Sequence, residues 1–520
     1  MTATSQQRPR SKSFGDRVRE LREQARQQAG LDYQLLRFII FTLVGIGVLM
    51  VFSSSMATSL TEDGGVWNQA LRQCVMVFFG LLAFWLGLQV SPHTLRKCVP
   101  WIVGLSIILL IAVLIPGVGT GREEVGSQSW IYLGPFSLQP SELARIAVGM
   151  FGASVLADKE HKSMKLSDPF MMYSFISAGM FLLIVGQGDM GMALSFAIVV
   201  VFTLIFAGVD WRVPATIGVA AVLGLIGIFL KGGFRSNRFH TYFDALLGNI
   251  SDTQGTGFQS YQGFLSLADG GFWGVGIGQS RAKWFYLPEA TNDFIFAVVG
   301  EELGFLGAIL VVVLFGLLGW FGIRTALKHT DPFMRMLSAT LTLGVVVQAM
   351  INIGYVVGLL PVTGIQLPLI SAGGTSAVIT LIAMGLLANC ARHEPETVSS
   401  MQHEGRPLID RILMLPEPLP VIAGAERRQD RRNTTQQFGE PVTRQRGGAG
   451  RVGQDARRER DRLEESRRRV GAEFHERDYD GRRHGSLPPV RETRSERAAR
   501  EGMPRTTQAR RSNRPDSRRR

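Results

Sequence analysis

Between Leu35 and Ala391 the chain is a succession of long apolar runs separated by short polar segments, and beyond Arg392 such runs almost disappear. A bilayer core demands roughly 20 consecutive apolar residues per helix. Runs of that kind lie near Phe38–Thr58, Leu71–Val90, Cys98–Val118, Pro140–Leu156, Pro169–Gly186, Gly191–Gly208 and Pro214–Leu230. Three more lie near Phe294–Ile323, Phe333–Leu360 and Leu369–Asn389, the first two long enough to tilt or to project beyond the lipid. The chain is therefore expected to be an all-α polytopic membrane protein of about ten transmembrane helices.

Charge in the short connections sets the orientation. Arg8, Arg10, Lys12, Arg17, Arg19, Arg22 and Arg26 precede the first run; Arg96 and Lys97 follow the second. Lys159, Lys162 and Lys165 follow the fourth, Arg212 the sixth, and Arg324, Lys328 and Arg335 flank the connection between the eighth and ninth. The alternate connections are acidic or mixed, as at Glu62–Asp63 and Gly121–Glu124. This alternation places both termini in the cytoplasm. The polar residues 1–36 are too long for the n-region of a cleaved signal peptide, so the first run reads as a retained anchor.

A membrane domain over 37–392 follows, with a large extracytoplasmic loop, 231–293, between helices 7 and 8. Phe258, Tyr261, Phe264, Phe272, Trp273, Trp284, Phe285 and Tyr286 argue for order there, as short interfacial helices over a cavity. From Arg392 to the end there are 31 Arg, no Lys and 21 Asp plus Glu, a net of +10 out of +13 for the chain. Residues 393–520 cannot offset the entropy of ordering and are expected to be a disordered, Arg-rich cytoplasmic tail suited to anionic surfaces or acidic partners. Cys74, Cys98 and Cys390 are widely spaced and show no metal or disulfide pattern.

Ionisable side chains at membrane depth are costly and so point to function. Glu142 and Arg145 lie in the fourth run, Asp189 between the fifth and sixth, Asp293 at the mouth of the eighth, and Glu301 and Glu302 within it. On this topology Glu142, Arg145, Asp189 and Asp293 share the outer half of the membrane. Each also has a structural reading. Asn292 or Asp293 could cap the eighth helix, Ser141–Glu142 after Pro140 could start the fourth, and Glu142 could pair with Arg145 three residues on. One of Glu301 and Glu302 could meet a basic neighbour. Gly274, Gly276 and Gly278 lack the βαβ context of a dinucleotide site and suit tight turns or close backbone approach.

Several stretches resemble the SEDS family (shape, elongation, division and sporulation), which includes FtsW, RodA and SpoVE. The most specific are Gly270-Gly-Phe-Trp-Gly-Val-Gly-Ile-Gly-Gln-Ser280, Tyr286-Leu-Pro-Glu-Ala290 and Asp293-Phe-Ile-Phe-Ala-Val-Val-Gly-Glu-Glu-Leu-Gly304. Supporting ones are Trp130-Ile-Tyr-Leu-Gly134, Gln139-Pro-Ser-Glu-Leu-Ala-Arg145, Asn352-Ile-Gly354, Leu360-Pro-Val-Thr-Gly364 and Leu367-Pro-Leu-Ile-Ser-Ala-Gly-Gly-Thr375. The long basic tail is similar to that of actinobacterial, division-type members.

The resemblance implies a peptidoglycan glycosyltransferase that polymerises lipid II outside the cytoplasmic membrane, at the septum, with a class B penicillin-binding protein transpeptidase as partner. Further division proteins would dock on the tail, and no nucleic acid is implied. The family's essential aspartate falls on Asp293, the expected general base. Glu142, Arg145, Asp189, Arg235, Arg238, Lys283 and Glu289 are the expected substrate contacts. The basic ones among them, or a divalent cation (Mg or Mn), would offset the leaving pyrophosphate; no cofactor is certain. The chain departs from the family at Thr291 and Asn292, where His-Thr or His-Asn is frequent, and at Gly188, Arg145 and Ser129. Two other readings remain: a lipid II flippase, and a division scaffold acting through its tail.

Overall fold

The computed structural model describes residues 30–61, 68–121, 127–134, 136–157, 168–230, 242, 257–281, 287 and 289–418. Ten long helices account for the ten apolar runs: α1 (Leu31–Thr61), α2 (Asn68–Gln89), α3 (Pro92–Ala112), α4 (Pro140–Leu156), α5 (Pro169–Gln187), α6 (Met190–Phe206), α7 (Arg212–Leu230), α9 (Ile295–Lys328), α10 (Pro332–Val356) and α11 (Thr375–Arg392). Among the described residues seven of them combine the length and apolarity needed to cross a membrane; α4, α6 and α7 are not among the seven. The chain is a polytopic helical membrane protein. Between these helices lies α8 (Phe258–Gly270), inside the long loop, and after them come α12 (Pro395–Glu404) and α13 (Leu408–Ile412).

Local chemistry starts the helices where the sequence says it should. Pro occupies the first turn of α3, α4, α5, α10 and α12, where its missing N–H costs nothing. Asp168 caps α5 through Phe170 N (2.9 Å), and Asp331 caps α10 through Phe333 N (2.8 Å). A feature that the apolar pattern does not show is a small antiparallel sheet in the α3–α4 connection: β2 (Trp130–Leu133) pairs with both β1 (Gly119–Thr120) and β3 (Phe136–Leu138).

Helices α10 and α11 form the buried centre. α10 packs on α9, α4, α6 and α11, and α11 lies along α2. That last approach is close because Gly385 faces the backbone of Phe84, where a Cβ would come within 2.3 Å of its carbonyl oxygen. In lipid no hydrophobic force drives helices together, so such small-residue contacts supply the packing. α9 is not continuous: Gly304 (φ 69°, ψ −169°) breaks it after nine residues. The break is filled by the glycine-rich segment, with Val275 N and Gly276 N donating to the carbonyls of Glu301 and Glu302 (2.9 and 3.1 Å). Gly274, Gly276 and Gly278 all take positive φ, which lets the backbone approach that closely.

Candidate active site

Asp293 sits in a turn before α9, half-buried. It does not cap the helix, nor does Asn292: the cap position is Phe294, with no side-chain cap bond. Instead the turn is wound around Glu289, whose carbonyl accepts from Asn292 N and Phe294 N (both 3.1 Å). Glu289 itself has φ 57°, a left-handed conformation that costs a non-glycine residue of order 1 kcal/mol. Its carboxylate accepts from Asn292 Nδ2 at 2.8 Å.

Three consecutive carbonyls of this turn are held from across the molecule. Thr291 O accepts from Ala372 N (3.0 Å), and Asn292 O from Ser371 Oγ (2.6 Å). Asp293 O accepts from Asn352 Nδ2 (2.8 Å) and lies 2.9 Å from the Tyr355 hydroxyl. Asn352 and Tyr355 belong to α10 and also reach Ile365 O, at 2.7 Å each. Residues 357–374, the connection from α10 to α11, thereby line the turn. The Asp293 carboxylate faces Gly364, where a Cβ would stand 3.5 Å from Oδ2.

The same connection, together with the first turn of α11, gathers two more of the expected residues. Ser376, at the start of α11, donates to Glu142 Oε1 at 2.5 Å, and Glu142 Oε2 is buried without a hydrogen-bond partner. Asp189 caps α6 through Met192 N (3.0 Å) and accepts from Gln139 Nε2 (2.8 Å). Next to it Gly191 lies against Thr363 O. Asp189 and Asp293 thus lie along the connection and Glu142 at the first turn of α11 that follows it, although they come from three distant parts of the chain.

Arg145 does not form the ion pair with Glu142 that its spacing allows. Its Nη1 donates to Gly344 O on α10, and the side chain lines an internal cavity of about 10 Å³ with Thr340 and Gly149. That space holds about one water molecule and no pyrophosphate. Arg235, Arg238 and Lys283 lie outside the described residues. Among the described residues no three His, Cys, Asp or Glu side chains converge.

Glu301 and Glu302, both 1% exposed, hold the glycine-rich segment. Glu302 accepts from Ser53 Oγ, Glu301 from Ser280 Oγ (2.7 Å) and Arg281 N (2.6 Å). Hydroxyl and amide donors thus reach both carboxylates. Asn352, which carries no charge, is an α10 side chain that holds the Asp293 peptide. Its signal was an amide inside an apolar run, where an unpaired polar group is costly.

A family model for the FtsW/RodA/SpoVE cell cycle proteins matches residues 33–396. The chain belongs to that family. Among its FtsW/RodA/SpoVE relatives, the probable peptidoglycan glycosyltransferase FtsW of Mycobacterium tuberculosis is 39% identical over 393 residues, covering 75% of this chain and 74% of that protein. Stage V sporulation protein E of Bacillus subtilis is 36% identical over 359 residues, covering 69% of this chain and 96% of that protein. The fold is shared with solved structures at 24% identity. One is a chain of a peptidoglycan synthase complex that coordinates polymerization and crosslinking (TM-score 0.56; 69% of this chain, 97% of that one). Another is RodA of Thermus thermophilus (TM-score 0.51; 69% and 96%). The segments quoted above for the resemblance all fall inside the matched region.

Proposed function

We propose that this chain is a peptidoglycan glycosyltransferase that polymerises lipid II at the outer face of the cytoplasmic membrane during septal wall synthesis, with Asp293 as general base. The observation that carries the reading is the setting of Asp293: its peptide is clamped from α10 while its carboxylate is excused from capping α9 and faces a glycine. A base held this way, through its own peptide, keeps its position relative to a bound sugar. The names of the FtsW relatives support the same chemistry.

In the reaction Asp293 takes the proton of the GlcNAc 4-hydroxyl of one lipid II. The freed oxygen attacks the anomeric carbon of the growing strand as the bond to the lipid pyrophosphate breaks. In-line displacement inverts the α-linked donor to a β-linked product. The pyrophosphate leaves with its charge offset by basic residues of the outer loop, for which Arg235, Arg238 and Lys283 are the choices. The ten-span topology with both termini cytoplasmic is part of this proposal, supported by the positive-inside pattern. So is a class B penicillin-binding protein as partner, in keeping with the fold shared with a synthase-complex chain. The Arg-rich tail would recruit further division proteins.

The test is polymerisation of lipid II in detergent by the purified full chain with its transpeptidase. Polymer that disappears with Asp293→Ala is expected; polymer undiminished by that change would remove Asp293 as base. Transbilayer movement of lipid II without polymer would replace the enzyme by a transporter.

A further inference from the structure

The structure carries a second interaction surface, at the opposite end of the chain's membrane domain. After α11 the chain folds back through α12 and α13, and Asp410 on α13 is completely buried. Its Oδ1 accepts from Arg37 Nη1 and Tyr33 Oη, and its Oδ2 from Arg392 Nε, all at 2.9 Å. Tyr33 and Arg37 stand at the start of α1, and Arg392 ends α11. Trp85 of α2 donates its indole N–H to Leu413 O at 2.9 Å. α13 is thus locked against the ends of three membrane-spanning helices.

The other side of α13 is apolar and open: Leu408 is 75% exposed, Ile409 54%, Ile412 77% and Met414, just beyond the helix, 83%. At 100° per residue Leu408, Ile409 and Ile412 share one face and Asp410 points away from it. Four large exposed apolar side chains within seven residues mark a contact surface. Its occupant follows from continuity. Phe38, next to the anchoring Arg37, and Leu86, next to the anchoring Trp85, are both exposed apolar residues of membrane-spanning helices. The α13 face therefore extends the lipid-facing surface at the level where those spans end. Exposed Arg411 lies in the same stretch, as suits an anionic headgroup layer.

We propose that Leu408–Met414 is an interfacial anchor whose apolar face lies in the headgroup–acyl boundary of the leaflet where α1 begins and α11 ends, clasped to the protein through Asp410. It holds the root of the tail at the membrane surface, so that whatever binds the tail is presented there.

An environment-sensitive fluorescent amino acid at position 412 or 414 of the full chain tests this. The protein is reconstituted in vesicles of phosphatidylethanolamine and phosphatidylglycerol. Lipids brominated on the upper acyl carbons should quench the probe about twofold, while aqueous iodide leaves it nearly untouched. Both positions tolerate the probe because their side chains touch little of the protein. Quenching by iodide and not by bromolipid would place the face in water and overturn the proposal. The same probe at buried Leu415 should answer to neither quencher, and bromolipid quenching as strong there as at 412 would overturn the assignment of faces.

Discussion

Ser53 Oγ on α1 lies 2.6 and 2.7 Å from the two carboxylate oxygens of Glu302 on α9 and also accepts from Gly278 N at 3.1 Å. One hydroxyl therefore ties the first helix, the break in α9 and the glycine-rich segment together. Removing it in Ser53→Ala leaves a buried carboxylate short of a donor, at a cost of about 1–3 kcal/mol. The expected outcome is a lower melting temperature in detergent, with Ser53→Thr restoring most of the loss. Equal stability of Ala and Ser at this position would show that the bond contributes nothing.

Asn352 and Tyr355 share the task of holding the Asp293 peptide, but not equally. Asn352 donates to Asp293 O and Ile365 O at once, whereas the Tyr355 hydroxyl has a single proton for the same two carbonyls. Asn352→Ala should cut polymerisation on the order of 10²-fold, by letting the base drift, and Tyr355→Phe clearly less. The initial rates of glycan formation by the two variants decide it. The reverse order would mean that the tyrosine ring, packed edge-on against Phe294, is the real support.

Two buried groups just beyond the spans give stability an opposed pH dependence. Burial holds His329 down to about 4, and burial likewise lifts Glu394 to about 7. As pH falls from 6.5 to 4 the unfolded chain takes up the His329 proton first, so that stability is lost. As pH rises from 4.5 to 7 the unfolded chain releases the Glu394 proton first, so that stability is lost in the other direction. Each effect is worth up to about 3 kcal/mol, and the two offset each other between pH 4.5 and 6.5. His329→Gln should therefore become more stable, relative to the parent, on acidification from pH 7 to 5. Parallel melting curves for parent and variant across that range would contradict it.

Truncation should distinguish the folded end of the chain from the tail. Ending the protein after Pro418 keeps Asp410 between Arg37 and Arg392 and is expected to leave melting temperature and polymerisation intact. Ending it after His393 strips both buried arginines of their partner, which costs about 3–5 kcal/mol. Asp410→Asn in the full chain should reproduce part of that loss. If the two truncations melt alike, the clasp is not holding α1 to α11.

Much of this could be read from the residues in order. Ten apolar runs became ten helices, Pro140 does start α4, and the alternate glycines from Gly274 do take the conformations only glycine accepts cheaply. These are local properties, set by a residue and its near neighbours. The expected ends were less secure: α11 starts at Thr375 rather than near Leu369, because the preceding stretch closes into turns. Ile370 N and Ser371 N both donate to Leu367 O, and Leu369 and Gly374 take positive φ. Helical order also resumes beyond Arg392, in α12 and α13.

What periodicity and charge could not supply is who partners whom. Glu302 finds Ser53 across 249 positions, Glu142 finds Ser376 across 234, and Asp410 finds Tyr33 across 377. From the sequence alone, Glu142 was as easily assigned to Arg145, and Asp293 to a helix cap, since neighbours within a turn are the only partners a sequence displays. Hydropathy determined that this chain spans a membrane, because transfer from water to lipid depends on each residue's own surface. Only the tertiary structure decided which buried polar groups meet, because a hydrogen bond depends on a direction and a distance that distant segments acquire together.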